Sequence, residues 1–356
     1  MTETALKIEK LLEEVVKQDA SDLHLTVGVP PMLRVDGSLK PIANTPPLTA
    51  TEVERLIFSV VDDVQKDILL KDMEVDFSFA FGDVARFRAN AYHQKGNLAL
   101  ALRLIPNQIR STEELGMPKT VDALTEYPRG LVLITGPTGS GKSTTLAAMI
   151  DKINKEKAMH IITVEDPIEY THKNQKSIVE QREIHYDTRS FAAALRSILR
   201  EDPDVVLIGE MRDLETIASA ITIAETGHLV LATLHTNNAA QSVDRMIDVF
   251  PPHQQQQIRV QLSNILNAIV SQRLIPAIGG GRVVASEIMI ANPAVRNIIR
   301  EGKTHQLDAV IQTGAEEGMQ TMDHNLATLV KSGKITLEEA KGYAIDTKEL
   351  ERLVHG

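Results

Sequence analysis

The sequence predicts an α/β chain: a small α+β domain over residues 1–105, a short linker at 106–109, and a parallel-sheet α/β domain over 110–356 that becomes largely helical from about residue 251. Three observations support this. At 356 residues the chain exceeds the usual size of one compact core. Its first third shows short apolar runs with strand-like alternation. From Gly130 onward, buried-type strands alternate with helical segments, the pattern of a parallel sheet.

Composition narrows the classes. Hydrophobic residues make up 43% and charged residues 24%, the balance of a globular protein. Aromatic residues are only 3% and Trp is absent, which argues against a stacking platform for single-stranded nucleic acid. A formal net charge of -10 disfavours a phosphate backbone as main partner, because such affinity comes largely from neutralised phosphates. Cysteine is absent, which excludes disulfides and thiolate metal sites. The opening residues lack the basic and then apolar pattern of a signal peptide. No run approaches the roughly 18 apolar residues of a membrane span.

Ile8, Leu11, Leu12, Val15 and Val16 recur at helical spacing and predict an opening amphipathic helix. Asp22–Val27 and Met32–Val35 read as strands, the second leading into the turn signal Asp36-Gly37 and suggesting a hairpin. Thr49 to Leu70 reads as one helix, with Thr49 and Thr51 as candidate N-caps. Phe77, Phe79 and Phe81 alternate with smaller or polar residues, and Val84–Ala91 and Leu98–Leu104 follow as strands. Ile105-Pro106-Asn107 is the expected linker core. In the second domain, strands are expected at Leu131–Thr135, Ile161–Val164, Val205–Ile208 and His228–Thr233. Helices are expected at Gln254–Val270, Pro293–Arg300, Met322–Val330 and Leu337–Tyr343.

Gly136-Pro137-Thr138-Gly139-Ser140-Gly141-Lys142-Ser143 matches G-x-x-x-x-G-K-[ST] in full, between an apolar strand and a helix. Its glycines let backbone N–H groups cradle phosphates, and the helix adds its positive N-terminal dipole. Lys142 would reach the β- and γ-phosphates of ATP, with the Ser143 hydroxyl on Mg2+. Thr144 either touches the α-phosphate or supports the first helical turn. Glu165 and Glu210 each follow a strand, and parallel strands end at one sheet edge, so both carboxylates should converge on the loop. There they can orient the attacking water or hold Mg2+ through water. Gly209 stands where an Asp often ligates the metal, so water-mediated contact is assigned to Glu210. His228 and His235 bracket one strand, and only His235 falls at the phosphate edge, as a γ-phosphate sensor or a structural histidine.

Taken in order, the phosphate loop, Val164-Glu165-Asp166-Pro167-Ile168-Glu169, Leu199-Arg200-Glu201-Asp202-Pro203-Asp204 running into Gly209-Glu210, and Thr226-Gly227-His228 to Leu234-His235-Thr236 resemble the Walker A, Asp box, Walker B and His box of the secretion ATPases of type II secretion and type IV pili. Within that superfamily, the chain is similar over nearly its whole length to the pilus retraction ATPases. Ala20–Leu25 with Pro30–Gly37 resembles the opening of that family. The absence of Cys departs from the tetracysteine zinc element typical of assembly relatives. Pro293-Ala294-Val295-Arg296-Asn297-Ile298-Ile299-Arg300-Glu301 resembles a motif linked to retraction. Its Arg296 and Arg300, four apart, are expected on one face.

The resemblance implies a PAS-like N-terminal domain followed by a RecA-like P-loop ATPase domain. It also implies a homo-hexameric ring that hydrolyses ATP with Mg2+ to drive pilus retraction. Arg88 and Arg103 fall on the positions of arginines that the N-terminal domain supplies to ATP, with Arg196 and Arg200 as weaker candidates. The implied partner is an inner-membrane pilus platform protein, with a second retraction ATPase as a further candidate. Neither direct nucleic-acid contact nor membrane insertion is expected, and the implied location is cytoplasmic, peripheral to the inner membrane through the pilus machinery. The alternatives are an accessory retraction or assembly ATPase, a DNA-translocating ring, or a nucleotide-gated subunit without turnover.

Overall fold

The computed structural model describes residues 6–35, 37–82, 84–105 and 109–356, and the chain separates into two compact units, Met1–Gln108 and Ile109–Gly356. The expected linker residues 106–108 lie outside the described residues, as does Asp36 of the expected turn.

The first unit is built on a six-stranded antiparallel sheet. Its strands are β1 (Asp22–Leu25), β2 (Met32–Val35), β3 (Ser38–Pro41), β4 (Glu74–Phe81), β5 (Ala85–Gln94) and β6 (Asn97–Ile105), in the order β3-β2-β1-β6-β5-β4. The helix Ile8–Lys17 buries Ile8, Leu11, Leu12 and Val15, the apolar stripe read from the sequence. Along β5 the alternation is strict: Ala85, Phe87, Ala89 and Ala91 face the core, and Arg88 is exposed between them. The hairpin around Gly37 joins β2 to β3, an exposed edge strand too polar to stand out in the sequence.

One expected helix is two. Ala50–Phe58 starts at a capping box between Thr49 and Glu52, so Thr49 and not Thr51 is the cap. Asp63–Asp72 starts at a second box, in which Asp62 accepts from the backbone N–H of Gln65 and the Gln65 side chain answers the Asp62 N–H. The box satisfies the Gln65 and Asp62 N–H groups with side chains where a continuous helix would have used backbone carbonyls, so a new helix starts here.

The second unit is built on a seven-stranded sheet. It comprises β7 (Gly130–Thr135), β8 (His160–Glu165), β9 (Ile178–Glu183), β10 (Val205–Ile208), β11 (Leu229–Leu234), β12 (Leu266–Pro276) and β13 (Arg282–Ile290), in the order β13-β12-β7-β11-β10-β8-β9. All neighbours are parallel except β12 and β13. Helices cover both faces. Leu146, Met149, Ile150 and Ile153 of the helix Lys142–Glu156 pack on one side, while Ala194, Ile217, Ile221, Val243 and Leu262 pack on the other. This is a mixed α/β fold of RecA-like type.

The expectation of a helix over Gln254–Val270 is corrected. The helix Pro252–Ile265 stops at Leu266, and β12 begins there, lying parallel to β7 with a bulge between Leu266 and Ala268. Seven consecutive buried residues, Leu266 to Gln272, are covered on both sides, so a largely apolar buried stretch forms a central strand where a helix was expected. Helical structure resumes only at Pro293–Glu301 and continues through Leu307–Thr313, Met322–Lys331, Leu337–Lys341 and Thr347–His355.

Candidate ATPase site

β7 is buried throughout, and the chain leaves it at Gly136 in a conformation with φ of 144°. A Cβ at Gly136 would sit 2.4 Å from the Gln272 carbonyl oxygen and 2.6 Å from Ser140 Oγ, so only glycine fits this turn. The helix Lys142–Glu156 then starts at Gly141 without a side-chain cap, leaving its first-turn N–H groups free of competing side-chain acceptors. Lys142 is buried and donates from Nζ to the carbonyl oxygens of Gly136, at 2.9 Å, and Pro137, at 3.0 Å. Burial holds its ammonium below the usual lysine range, while the carboxylates of Glu169 and Glu210 act in the opposite sense. The Ser140 hydroxyl is buried with no hydrogen-bond partner. The loop thus presents a buried cation, an unspent hydroxyl and an uncapped helix start.

The floor of this loop comes from β12. Gln272 donates from Nε2 to the Ser140 carbonyl at 2.8 Å and accepts from Thr145 Oγ1 at 3.1 Å. Beside it, Thr135 Oγ1 donates to Ser271 Oγ at 2.8 Å. Neither residue was singled out in the sequence. The signal that could have found them is a pair of polar residues inside an otherwise apolar buried run.

The parallel register places the ends of β7, β11, β10 and β8 side by side, as expected for one sheet edge. Glu165 ends β8, half-buried, and accepts on Oε1 from Thr163 Oγ1 at 2.6 Å and from Gln181 Nε2 at 3.2 Å. Desolvation by its surroundings pushes its carboxyl up to about 7, against the pull of those two donors and of a backbone hydrogen bond from Glu169. Glu210 follows β10 and pairs with Arg212, Nε to Oε1 at 2.8 Å, and with His235, Nε2 to Oε2 at 3.6 Å. Glu165, Glu210 and His235 thus stand at the sheet edge where the loop leaves β7. Gly209 is explained by space: a Cβ there would lie 3.2 Å from both Glu165 Cα and the Val164 carbonyl oxygen, so an Asp would crowd β8.

Thr144 Oγ1 lies 2.9 Å from the Tyr170 hydroxyl, tying the first helical turn to the segment after Glu165. His228 sits at the opposite sheet edge, its Nδ1 2.9 Å from the Ile223 carbonyl oxygen. Arg196 is ion-paired with Glu215, and Arg200 is exposed. Arg296 and Arg300, four apart on the helix Pro293–Glu301, share a face, but the two side chains are used differently. Arg296 donates from Nη1 to the carbonyl oxygens of Ser263, at 2.6 Å, and Asn264, at 2.8 Å, closing the end of the preceding helix, whereas Arg300 is exposed. In the first unit, Arg88 and Arg103 are direct cross-strand partners on β5 and β6, and Arg103 Nε is 3.0 Å from Asp22 Oδ1.

A glycine-built phosphate loop with its buried lysine, and two carboxylates and a histidine brought to the same edge of a RecA-like sheet, define a P-loop ATPase. A family model described as "Type II/IV secretion system protein" matches residues 3–279. A "Type IV pilus retractation ATPase PilT" of Pseudomonas aeruginosa is 53% identical over 336 residues, covering 94% of this chain and 97% of that one. A "Twitching motility protein" of Neisseria gonorrhoeae is 52% identical, covering 90% of this chain and 86% of the other. The crystal structure titled "Pilus Retraction Motor PilT and Bound ADP" superposes with a TM-score of 0.92 at 51% identity, covering 98% of this chain and 99% of that one. The chain belongs to the type II/IV secretion ATPase family, in its pilus retraction branch. It is an ATP-driven motor of that branch.

Proposed function

We propose that the chain is the ATP-hydrolysing subunit of a homo-hexameric ring that drives type IV pilus retraction, withdrawing pilin from a pilus base. The observation that carries the hydrolytic part is Glu165: a carboxylate pushed up to about 7, held by two donors at the sheet edge that carries the phosphate loop. A base of that strength is matched to neutral pH. Water attacks the γ-phosphorus, the bond to the β,γ-bridging oxygen breaks, and Glu165 takes the proton of the attacking water. Lys142 leaves the Gly136 and Pro137 carbonyls for the β- and γ-phosphates, and the loop N–H groups from Gly139 to Thr144 hold the phosphate oxygens. The donor set suits Mg2+, which keeps most of its waters: Ser143 would hold it directly and Glu210 through water, and when bound it neutralises charge developing on the β- and γ-oxygens. His235, beside Glu210, serves as the γ-phosphate sensor.

Residues 1–105 form the PAS-like domain, 106–109 the linker and 110–356 the ATPase domain with its helical C-terminal region. Arg88 and Arg103 act as fingers supplied in trans. They stand at directly opposite backbone positions of β5 and β6, with Arg103 held by Asp22. Among the described residues no helix is long and apolar enough to cross a membrane. By its likeness to the pilus retraction ATPases, the ring is proposed as cytoplasmic, reaching the inner membrane through a pilus platform protein, with a second retraction ATPase as a further partner. Direct nucleic-acid binding has no part in this reading.

The test is in two parts. Purified protein hydrolyses ATP, and Lys142→Ala and Glu210→Gln abolish turnover. Deletion in the source organism leaves surface pili present but unable to retract; loss of all pili overturns retraction in favour of assembly.

A further inference from the structure

The polar contacts around Glu165 meet at one side chain that no motif assigns, Gln181 on the edge strand β9, directly opposite Thr163 in the β8–β9 ladder. Its amide makes three hydrogen bonds. Oε1 accepts from the His172 backbone N–H at 2.8 Å, while Nε2 donates to the Tyr170 carbonyl oxygen at 2.8 Å and to Glu165 Oε1 at 3.2 Å. A backbone N–H can only donate and a carbonyl oxygen can only accept, so the two ends of the amide are not interchangeable. His172 and Tyr170 dictate the orientation, and that orientation turns an N–H toward Glu165. The arrangement continues beyond Gln181, because the Tyr170 hydroxyl lies 2.9 Å from Thr144 Oγ1 in the phosphate-loop helix.

We propose that Gln181 is a positioning residue for hydrolysis. Its locked amide, together with Thr163, holds Oε1 of Glu165 and so fixes the orientation of the carboxylate that receives the proton of the attacking water. The segment from Glu165 to His172 is thereby clamped between β9 and the first turn of the phosphate-loop helix. A glutamine does this without adding charge beside a carboxylate that already feels Glu169. The inference rests on the reading of Glu165 as the base.

Steady-state ATP hydrolysis by the purified full chain tests it, comparing wild type, Gln181→Leu, Glu165→Gln and the double variant. Gln181→Leu is expected to lower kcat by about tenfold with KM for ATP and affinity for a fluorescent ADP analogue unchanged, since the three lost hydrogen bonds reach the reaction through the base. In the Glu165→Gln background the same substitution should lower the residual rate no further. A wild-type kcat in Gln181→Leu, loss of ADP-analogue binding, or a further proportional fall in the double variant would each overturn the proposal, the last two because a merely structural role moves them. Full activity in Glu165→Gln would instead overturn the reading of Glu165 as the base.

Discussion

Glu165 shows how a single environment can set a reaction's pH range. Desolvation raises its carboxyl to about 7, and the two side-chain donors on Oε1 prevent it from rising further. The base must be ionised to accept a proton. Hydrolysis should therefore rise with pH and level off above about 7, measured as kcat across pH 5.5 to 8.5 in a coupled assay, roughly following a single ionisation. Glu165→Gln should lose that limb and about 10²- to 10⁴-fold in kcat. A limb unchanged in the variant would assign the ionisation to another group. At Gly136 the constraint is steric. A methyl group would strike the Gln272 carbonyl oxygen, so Gly136→Ala should bind a fluorescent ADP analogue at least about tenfold more weakly while leaving the fold of the first unit intact.

At the scale of elements, β12 carries the most consequence. Gln272 holds both the Ser140 carbonyl and Thr145, so Gln272→Leu leaves two buried polar groups without partners. It should destabilise the second unit by about 2 to 4 kcal/mol, read as a lower urea midpoint, and weaken nucleotide binding with it. In the first unit, Asp62→Ala removes one end of a capping box and should cost about 1 kcal/mol. These same elements mark the limits of reading the sequence. The phosphate loop, Glu165, Glu210 and His235 were legible because each follows a strand of unmistakable apolar character, and parallel strands bring their ends together. β12 was not, because an apolar run buried on both faces has no alternation to separate it from a helix. The break at Asp62 was missed because its signal is a local hydrogen bond between Asp62 and Gln65 within a segment of continuous helical propensity. Gln181 and Tyr170 were invisible because their roles depend on partners elsewhere in the chain, which single-chain spacing does not report.

Across the molecule, a second carboxylate makes stability depend on pH. Glu287 on β13 is buried, accepts a hydrogen bond from the Ala239 N–H at 2.8 Å, and is pushed by burial from 4.5 up to about 7. Below its unfolded value the group is protonated in both states, and its contribution is fully present. As pH rises from about 4.5 to about 7 the unfolded chain releases the proton while the folded chain keeps it, so stability falls. Above that range both states are ionised. The loss amounts to about 3 kcal/mol, and Glu287→Gln should reduce the difference between urea unfolding at pH 5 and at pH 8 by about 2 to 3 kcal/mol. An identical difference in the variant would show that Glu287 ionises equally in both states.

The ladder around β12 has one more implication. Bonded to β7 on one side and to β13 on the other, the strand beneath the phosphate loop cannot shift without breaking two rows of backbone hydrogen bonds at once. For a machine that converts chemical change into displacement, this makes the floor of the site its stationary frame. The work of a turnover is then left to what stands above that frame: the crest of the loop and the side chains of Arg212 and His235.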